Sequence, residues 1–258
     1  MFIFRAAPLK PIHPFIDSLS DAALALLYPQ ACAVCGAGVE ARADGVACAA
    51  CWRETRLFAE QDALCRKCGA LLPPAVEHDR QAEVLCRRCA AEPFTAARAC
   101  GVYEGALRAM VLALKREPYV SSRLSHLLHQ AQQREPLDSA TLIVPVPLHP
   151  ERMRERGFNQ AALLGRALAR LSGLRLDEWS LVRTLHTERH RAGMDAEARR
   201  ASVSQSFRVE RPRLIEGERV LLIDDVFTTG ATASACAAQL FAAGAEAVFV
   251  LTIARPNE

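Results

Sequence analysis

A chain of 258 residues, 51% of them apolar, is long enough for one ordinary domain with its own core plus a smaller one. No apolar run approaches the ~20 residues that a membrane span requires. A net charge of +3 is too slight to argue for a polyanionic partner, and only three of the cations are lysines: Lys10, Lys67 and Lys115.

At the N-terminus the apolar run AALALLY is bounded by Asp21 and Pro29. This predicts a short docking helix from about Ile16 to Leu27 rather than a signal peptide. The cysteines follow. Eight of the ten form CxxC pairs: Cys32/Cys35, Cys48/Cys51, Cys65/Cys68 and Cys86/Cys89. A two-residue gap in a tight turn lets both sulfurs face one tetrahedral metal at ~2.3 Å, whereas a disulfide within such a turn is strained and reducible. The pairs at 32/35 and 65/68 are each followed by glycine, the shape of a zinc knuckle. Two structural zinc sites with four thiolates each are expected. Joining neighbouring pairs is the simplest grouping, and a cross-braced grouping uses the same ligands. Four redox motifs without a βαβ context, or a secreted disulfide framework, fit the spacing less well. A reducing, cytoplasmic setting is implied. Cys100 and Cys236 lie in apolar stretches and read as packing residues.

Residues 73–83 read as loop, and Glu92-Pro93-Phe94 marks a boundary. Three units are expected: 1–30 as docking segment, 31–94 as double zinc ribbon, and 95–258 as the larger domain. Arg98–Tyr103 is an expected first strand. GALRAMVLALKRE follows with Leu107, Met110, Val111 and Leu114 on one helical face, ending before Pro118. SSRLSHLLHQAQQR predicts a second helix on which His126 and His129 are surface residues. Thr141–Leu148 reads as a strong strand. HPERMRERGFNQ then brings Arg152, Arg154 and Arg156 close together before a helix over FNQAALLGRALARL. Arginines after the carboxyl end of a strand, where open α/β sheets bind ligands, form a candidate anion site.

The most informative stretch is Val220–Thr232, VLLIDDVFTTGAT. Four aliphatic residues read as a buried parallel strand running into Asp224 and Asp225. A Thr/Gly turn then opens a helix over ASACAAQLFAAG, so unpaired backbone N–H groups are presented at the positive end of the helix dipole. Thr228, Thr229 and Thr232 add hydroxyls, and Gly230 permits the tight turn. Two acids beside such a nest suit a ligand with hydroxyls, or a magnesium ion, next to its phosphate. The residue after Gly230 is Ala231, not the lysine of a P-loop, and the dinucleotide fingerprint GxGxxG is missing.

These thirteen residues resemble the 5-phosphoribosyl-1-pyrophosphate (PRPP) motif of type I phosphoribosyltransferases. The resemblance implies that Asp224 and Asp225 hold the ribose hydroxyls, and that Thr228, Thr229, Gly230, Ala231 and Thr232 wrap the 5′-phosphate. Pro147 and Leu148 fall where these enzymes keep the loop that binds pyrophosphate, with Arg154 and Arg156 meeting the leaving group. Residues 181–209 correspond to a mobile lid with Arg183, Thr184, Arg189 and Arg191. Thr228 and Ala231 stand where purine-salvage relatives carry an aspartate and a lysine, which disfavours a 6-oxopurine acceptor.

PVPLHPERMRERGFNQ, the pair Leu114-Lys115 and the double zinc ribbon together resemble the ComF/GntX family. That resemblance implies an α/β fold: a type I phosphoribosyltransferase-like parallel sheet flanked by helices, with an N-terminal double zinc-ribbon module. It also implies two structural Zn2+ sites, Mg2+ bound with PRPP, and a link to competence and DNA uptake. His190 and Ser202 depart from the family's lid pattern. Two functions compete. One is a magnesium-dependent glycosyltransferase that transfers phosphoribose to an unidentified acceptor. The other is a non-catalytic PRPP-sensing adaptor whose zinc ribbons, through Arg66, Lys67, Arg87 and Arg88, contact single-stranded DNA or uptake proteins. With Trp52 and Phe58 the ribbon's few aromatic residues, no stacking platform for single strands is evident.

Overall fold

The computed structural model describes residues 30–72, 85–86, 89–184 and 206–257. The expected docking helix, the 73–83 loop, Arg87, Arg88, and the lid positions His186, Arg189, His190, Arg191 and Ser202 lie outside the described residues.

The elements are α1 (Ala49–Glu54), β1 (Ala96–Val102), α2 (Gly105–Leu114), α3 (Ser122–Gln132), β2 (Leu142–Pro145), α4 (Pro150–Arg156), α5 (Gln160–Ser172), β3 (Arg175–Leu176), β4 (Leu181–Arg183), β5 (Phe207–Val209), β6 (Arg219–Val226), α6 (Ala231–Ala242) and β7 (Ala247–Arg255). A five-stranded sheet runs β1-β7-β6-β2-β3, all of it parallel. β4 and β5 form a separate antiparallel ribbon.

Parallel strands need helical crossovers, and here these cover both faces. One face packs α2, α3 and α5 over Ile143, Leu221, Ile223, Phe249 and Leu251. The other packs α6 over Val144, Val220, Leu222, Val248 and Val250. β6 and β7 are therefore buried on both sides, which is why their sequences are continuous apolar runs rather than alternating ones.

Several boundaries differ from the sequence expectation. The strand expected over Thr141–Leu148 stops at Pro145, although Val146 still donates to the Ile223 carbonyl at 2.9 Å. Pro145 and Pro147 have no N–H to extend a ladder. The arginine-rich segment after it, where the sequence signals no element, forms α4. Pro150 sits in its first turn, the His149 ring accepts from the Glu151 N–H, and Gly157 ends it at φ 77°. α2 ends at Leu114, one residue before Lys115.

The zinc-binding segment splits between the two faces of the larger domain. Residues near the first four cysteines pack on α2 and α3: Ala106 N–H donates to the Thr55 hydroxyl at 2.9 Å, and Arg123 pairs with Asp44 at 2.8 Å. Residues 56–58 and 67 run along the free edge of β1. Phe58 N–H donates to the Cys100 carbonyl, Val102 N–H to Arg56 and Ala97 N–H to Lys67.

Candidate functional site

β6 carries four fully buried residues, Val220–Ile223, to the carboxyl end of the sheet, where Asp224 and Asp225 emerge half-buried. Register places Asp224 opposite Thr252 of β7. Phe227 then turns inward while Thr228 and Thr229 stay exposed, and Gly230 starts α6 from the left-handed region at φ 80°. The turn leaves a small cleft of about 40 Å³ lined by Asp224, Thr228, Thr229, Gly230, Thr232 and Thr252, among others. Thr229 folds back to accept from the Ala231 N–H at 3.4 Å.

Gly230 is constrained twice. Its φ is one that side chains rarely adopt, and a Cβ there would stand 2.9 Å from the Phe227 ring. Gly173 has a similar φ of 73° but open space around it. Gly230→Ala is expected to cost about 1–3 kcal/mol, clearly more than Gly173→Ala. Thermal denaturation of the two variants checks this, and equal losses would show that the ring contact is unimportant.

The carboxyl end of β2 lies next to that of β6. α5 leaves from β2 on one face and α6 leaves from β6 on the other, so the crevice between them is a switch point of the sheet, the usual ligand position in open α/β folds. Asn159 shapes the β2 side: its amide donates to the Val146 carbonyl and its oxygen accepts from the Ala161 N–H, capping α5. The next residue, Gln160, donates to Asp225 Oδ2 at 3.5 Å and accepts from Arg156. Lys115 Nζ stands 3.4 Å from the same Asp225 oxygen. Pro147 and Leu148 are half-buried at the mouth of the crevice, His149 is buried, and Arg154 is exposed on α4.

Charge is crowded here. Burial, then the neighbouring Asp225 carboxylate, pushes the Asp224 carboxyl up to about 7, although part of its surface still reaches solvent. The Asp225 N–H, which donates to Asp224 Oδ1 at 2.8 Å, opposes that rise, as do Lys115 and Arg183. Two carboxylates flanked by cations, beside the first N–H groups of α6, can receive a ligand with vicinal hydroxyls and a phosphate. They also suit a hard cation held partly by the ligand. Three residues of this arrangement carry no assigned site role from sequence: Lys115, Gln160 and Thr252. The first two sit in the quoted segments Leu114-Lys115 and RGFNQ, which was the available signal.

The cysteines gather sequentially, not cross-braced. The sulfurs of Cys32, Cys35, Cys48 and Cys51 lie within 4.8 Å of one another, as do those of Cys65, Cys68, Cys86 and Cys89. Sulfur–sulfur contacts run from 3.3 Å (Cys86–Cys89) to 3.8 Å (Cys32–Cys51), close to the ~3.8 Å edge of a tetrahedron with ~2.3 Å bonds. Backbone N–H groups point at the sulfurs, as at knuckles. Burial pushes the Cys32 thiol up, but N–H groups of Cys35, Cys48 and Val34 outweigh it and bring it down to about 6. The Cys68 thiol, then N–H groups including that of Cys86 at 3.2 Å, bring Cys65 down to about 3. A ready thiolate in each set fits a divalent, sulfur-loving metal with no open position. Among the described residues these are the only groups of three or more such ligands. Cys100 and Cys236 are buried apart from them.

Residues 23–90 match the family model of the double zinc ribbon domain. The chain is 33% identical to DNA utilization protein YhgH of Escherichia coli K12 over 216 residues, covering 81% of this chain and 89% of that protein. It is 32% identical over 142 residues to competence protein F of Haemophilus influenzae, covering 53% of this chain and 62% of that one. With competence protein ComFC of Bacillus subtilis it shares 37% identity over 98 residues, 37% of this chain and 36% of that one. Among solved structures it is similar to a glutamine PRPP amidotransferase from B. subtilis, with TM-score 0.36 and 20% identity over 57% of this chain. The chain spans about a quarter (26%) of that enzyme, and a likeness this slight carries no argument about activity.

Proposed function

The chain belongs to the ComF-type family, and from that premise we propose that its carboxyl-end crevice binds PRPP and transfers the phosphoribosyl group to an acceptor, in a process of DNA utilisation or uptake. One observation carries the reading: the acid pair and the Gly230 turn stand together at the switch point of the parallel sheet. In this reading residues 31–94 form the zinc module and 95–258 the transferase-like unit.

The turn and the first N–H groups of α6 would take the 5′-phosphate, with Thr228, Thr229 and Thr232 as hydroxyl donors. Asp224 and Asp225 would take the ribose hydroxyls. In the transfer, the bond from the anomeric carbon to pyrophosphate breaks and its electron pair leaves on the pyrophosphate. The acceptor's nucleophile forms the new bond and loses its proton. Catalysis of such a loose, cationic transition state is mainly positioning and electrostatic support. Magnesium bound with PRPP would neutralise the departing pyrophosphate. Lys115 and, through Gln160, Arg156 hold Asp225 in place, and Pro147, Leu148 and Arg154 line the path of the leaving group. No helix among the described residues is long and apolar enough to cross a membrane, and the proposed setting is cytoplasmic.

Asp225→Asn is expected to weaken PRPP binding in the presence of magnesium by about 10- to 100-fold, roughly 1.4–2.7 kcal/mol. The melting temperature should change little. Titration calorimetry of the folded variant reads this directly, and unchanged affinity would remove Asp225 from the site. The adaptor reading gains no support from the ribbon's aromatic residues: Trp52, Phe58 and Phe94 are buried, at 1%, 4% and 1% exposure.

A further inference from the structure

Both halves of the second cysteine cluster connect to the turn that follows β6, one through Arg255 and the other through Phe94 and Glu92. In the Cys65–Cys68 knuckle, three successive carbonyls are taken by the sheet. Arg66 accepts from Arg98 Nη1 at 3.0 Å, Lys67 from the Ala97 N–H at 2.6 Å, and Cys68 from Arg255 Nη1 at 2.5 Å. Arg255, the last residue of β7, is 5% exposed, and its guanidinium lies 5.5 Å from the centroid of the Phe227 ring. That ring is the surface against which Gly230 packs. From the Cys86–Cys89 side, Phe94 meets Phe227 edge-on at 5.8 Å, and Glu92 accepts from the Ser234 hydroxyl of α6. The first cluster lies on the opposite face of the sheet and packs on α2 and α3.

We propose that the second zinc site and the Gly230 turn are energetically coupled, with Arg255 as the positioning residue that joins them. Zinc at Cys65, Cys68, Cys86 and Cys89 fixes the Cys68 carbonyl, which fixes Arg255 over Phe227, which holds the turn in its ligand-ready shape. The inference rests on the reading of that turn as a phosphate site. Coupling between two sites is reciprocal, so a ligand at the turn must tighten the second zinc site by the factor by which that zinc tightens the ligand.

The test uses the intact zinc-loaded protein. A chelator and an alkylating agent are added with and without ribose 5-phosphate, and each cysteine's alkylation is followed by peptide mass spectrometry. Ribose 5-phosphate is expected to slow alkylation of Cys65, Cys68, Cys86 and Cys89 about 5- to 50-fold, and to leave Cys32, Cys35, Cys48 and Cys51 unaffected. Arg255→Met should abolish that difference and weaken ribose 5-phosphate binding, whereas Arg255→Lys, which keeps the charge and one donor, should restore part of both. Phe227→Leu supplies a second break in the chain if Arg255→Met does not fold. A general loss of stability would instead expose both clusters alike, and any protection by ligand would then be equal at the two. Ligand binding by calorimetry with equal protection of the two clusters, or with protection undiminished in Arg255→Met or Phe227→Leu, overturns the coupling alone. No detectable ribose 5-phosphate binding overturns the phosphate reading, and the coupling with it.

Discussion

Stripping zinc is expected to make the protein self-associate. Structural zinc contributes an apparent ~10–16 kcal/mol to small metal-bound modules. If only about 3 kcal/mol of that is felt by the rest of the chain, the melting temperature falls by roughly 6–12 °C. The more specific consequence comes from β1. It is an edge strand of the sheet, and its free side is covered by the zinc module: Leu57 bridges Gly101, with further backbone bonds from Arg56, Phe58 and Lys67. The approach at Gly101 is so close that a Cβ there would lie 2.3 Å from the Arg56 carbonyl oxygen. Without metal the knuckles have little core of their own to hold them. The uncovered strand, AARACGV, would then offer unpaired N–H and C=O groups to another copy. Light scattering after chelation under reducing conditions should show mass that grows with protein concentration and falls again when zinc is restored. A chelated protein of unchanged size and unchanged melting temperature would show that the module does not protect this edge.

What could be read from the chain beforehand was chemistry that is local in sequence. The CxxC pairs announce their ligands because two sulfurs in one turn must share a metal, and Val220–Thr232 announces strand, acids, turn and helix in order. Features that depend on the whole sheet were not legible. Ala247–Arg255 received no assignment, yet it is the second strand from the edge and is buried at every position. A strand covered on both faces loses the alternation that marks strands, leaving only a short apolar run. α4 was hidden for the opposite reason. PERMRER has no apolar face and no buried residue, and its helix rests on Pro150, the His149 cap and Gly157. The grouping of the zinc ligands stayed open because spacing is the same for either pairing. Lys115 is the instructive case within the site. Its place after the stripe of Leu107, Met110, Val111 and Leu114 does not connect it with Asp225, and only the path of α2 from β1 brings it there. Likewise nothing in VFTTG foretells that Phe227 faces Arg255, Phe94 and the second knuckle.

Opposite pH slopes for stability and for ligand binding are expected from Asp224. In the folded chain, burial and the adjacent Asp225 carboxylate raise its carboxyl from the ordinary value of 3.8 to about 7. The native state therefore holds a proton that the unfolded chain has released between about pH 4 and pH 7. Stability falls as pH rises through that window, and the full penalty is present above it. A shift of that span corresponds to at most about 4 kcal/mol. Because Asp224 keeps some contact with solvent and has Lys115 and Arg183 nearby, we expect about 1–3 kcal/mol. Asp224→Asn should thus melt higher than the parent at pH 8 and no higher at pH 4. Ligand binding runs the other way. A carboxyl that accepts ribose hydroxyls, or supports a cation, does so best when ionised, so PRPP affinity in the parent should rise from pH 6 to pH 8 while the free protein grows less stable. Asp224→Asn should flatten both curves at once, giving a more stable protein that binds weakly. That pairing is the signature of a group kept in an unfavourable environment for the sake of its ligand. Thermal melts and calorimetric titrations across pH 4–8 measure it. A gain in stability that is equal at both ends of the range would mean the raised carboxyl is not its source, and affinity independent of pH would take Asp224 out of contact with the bound sugar.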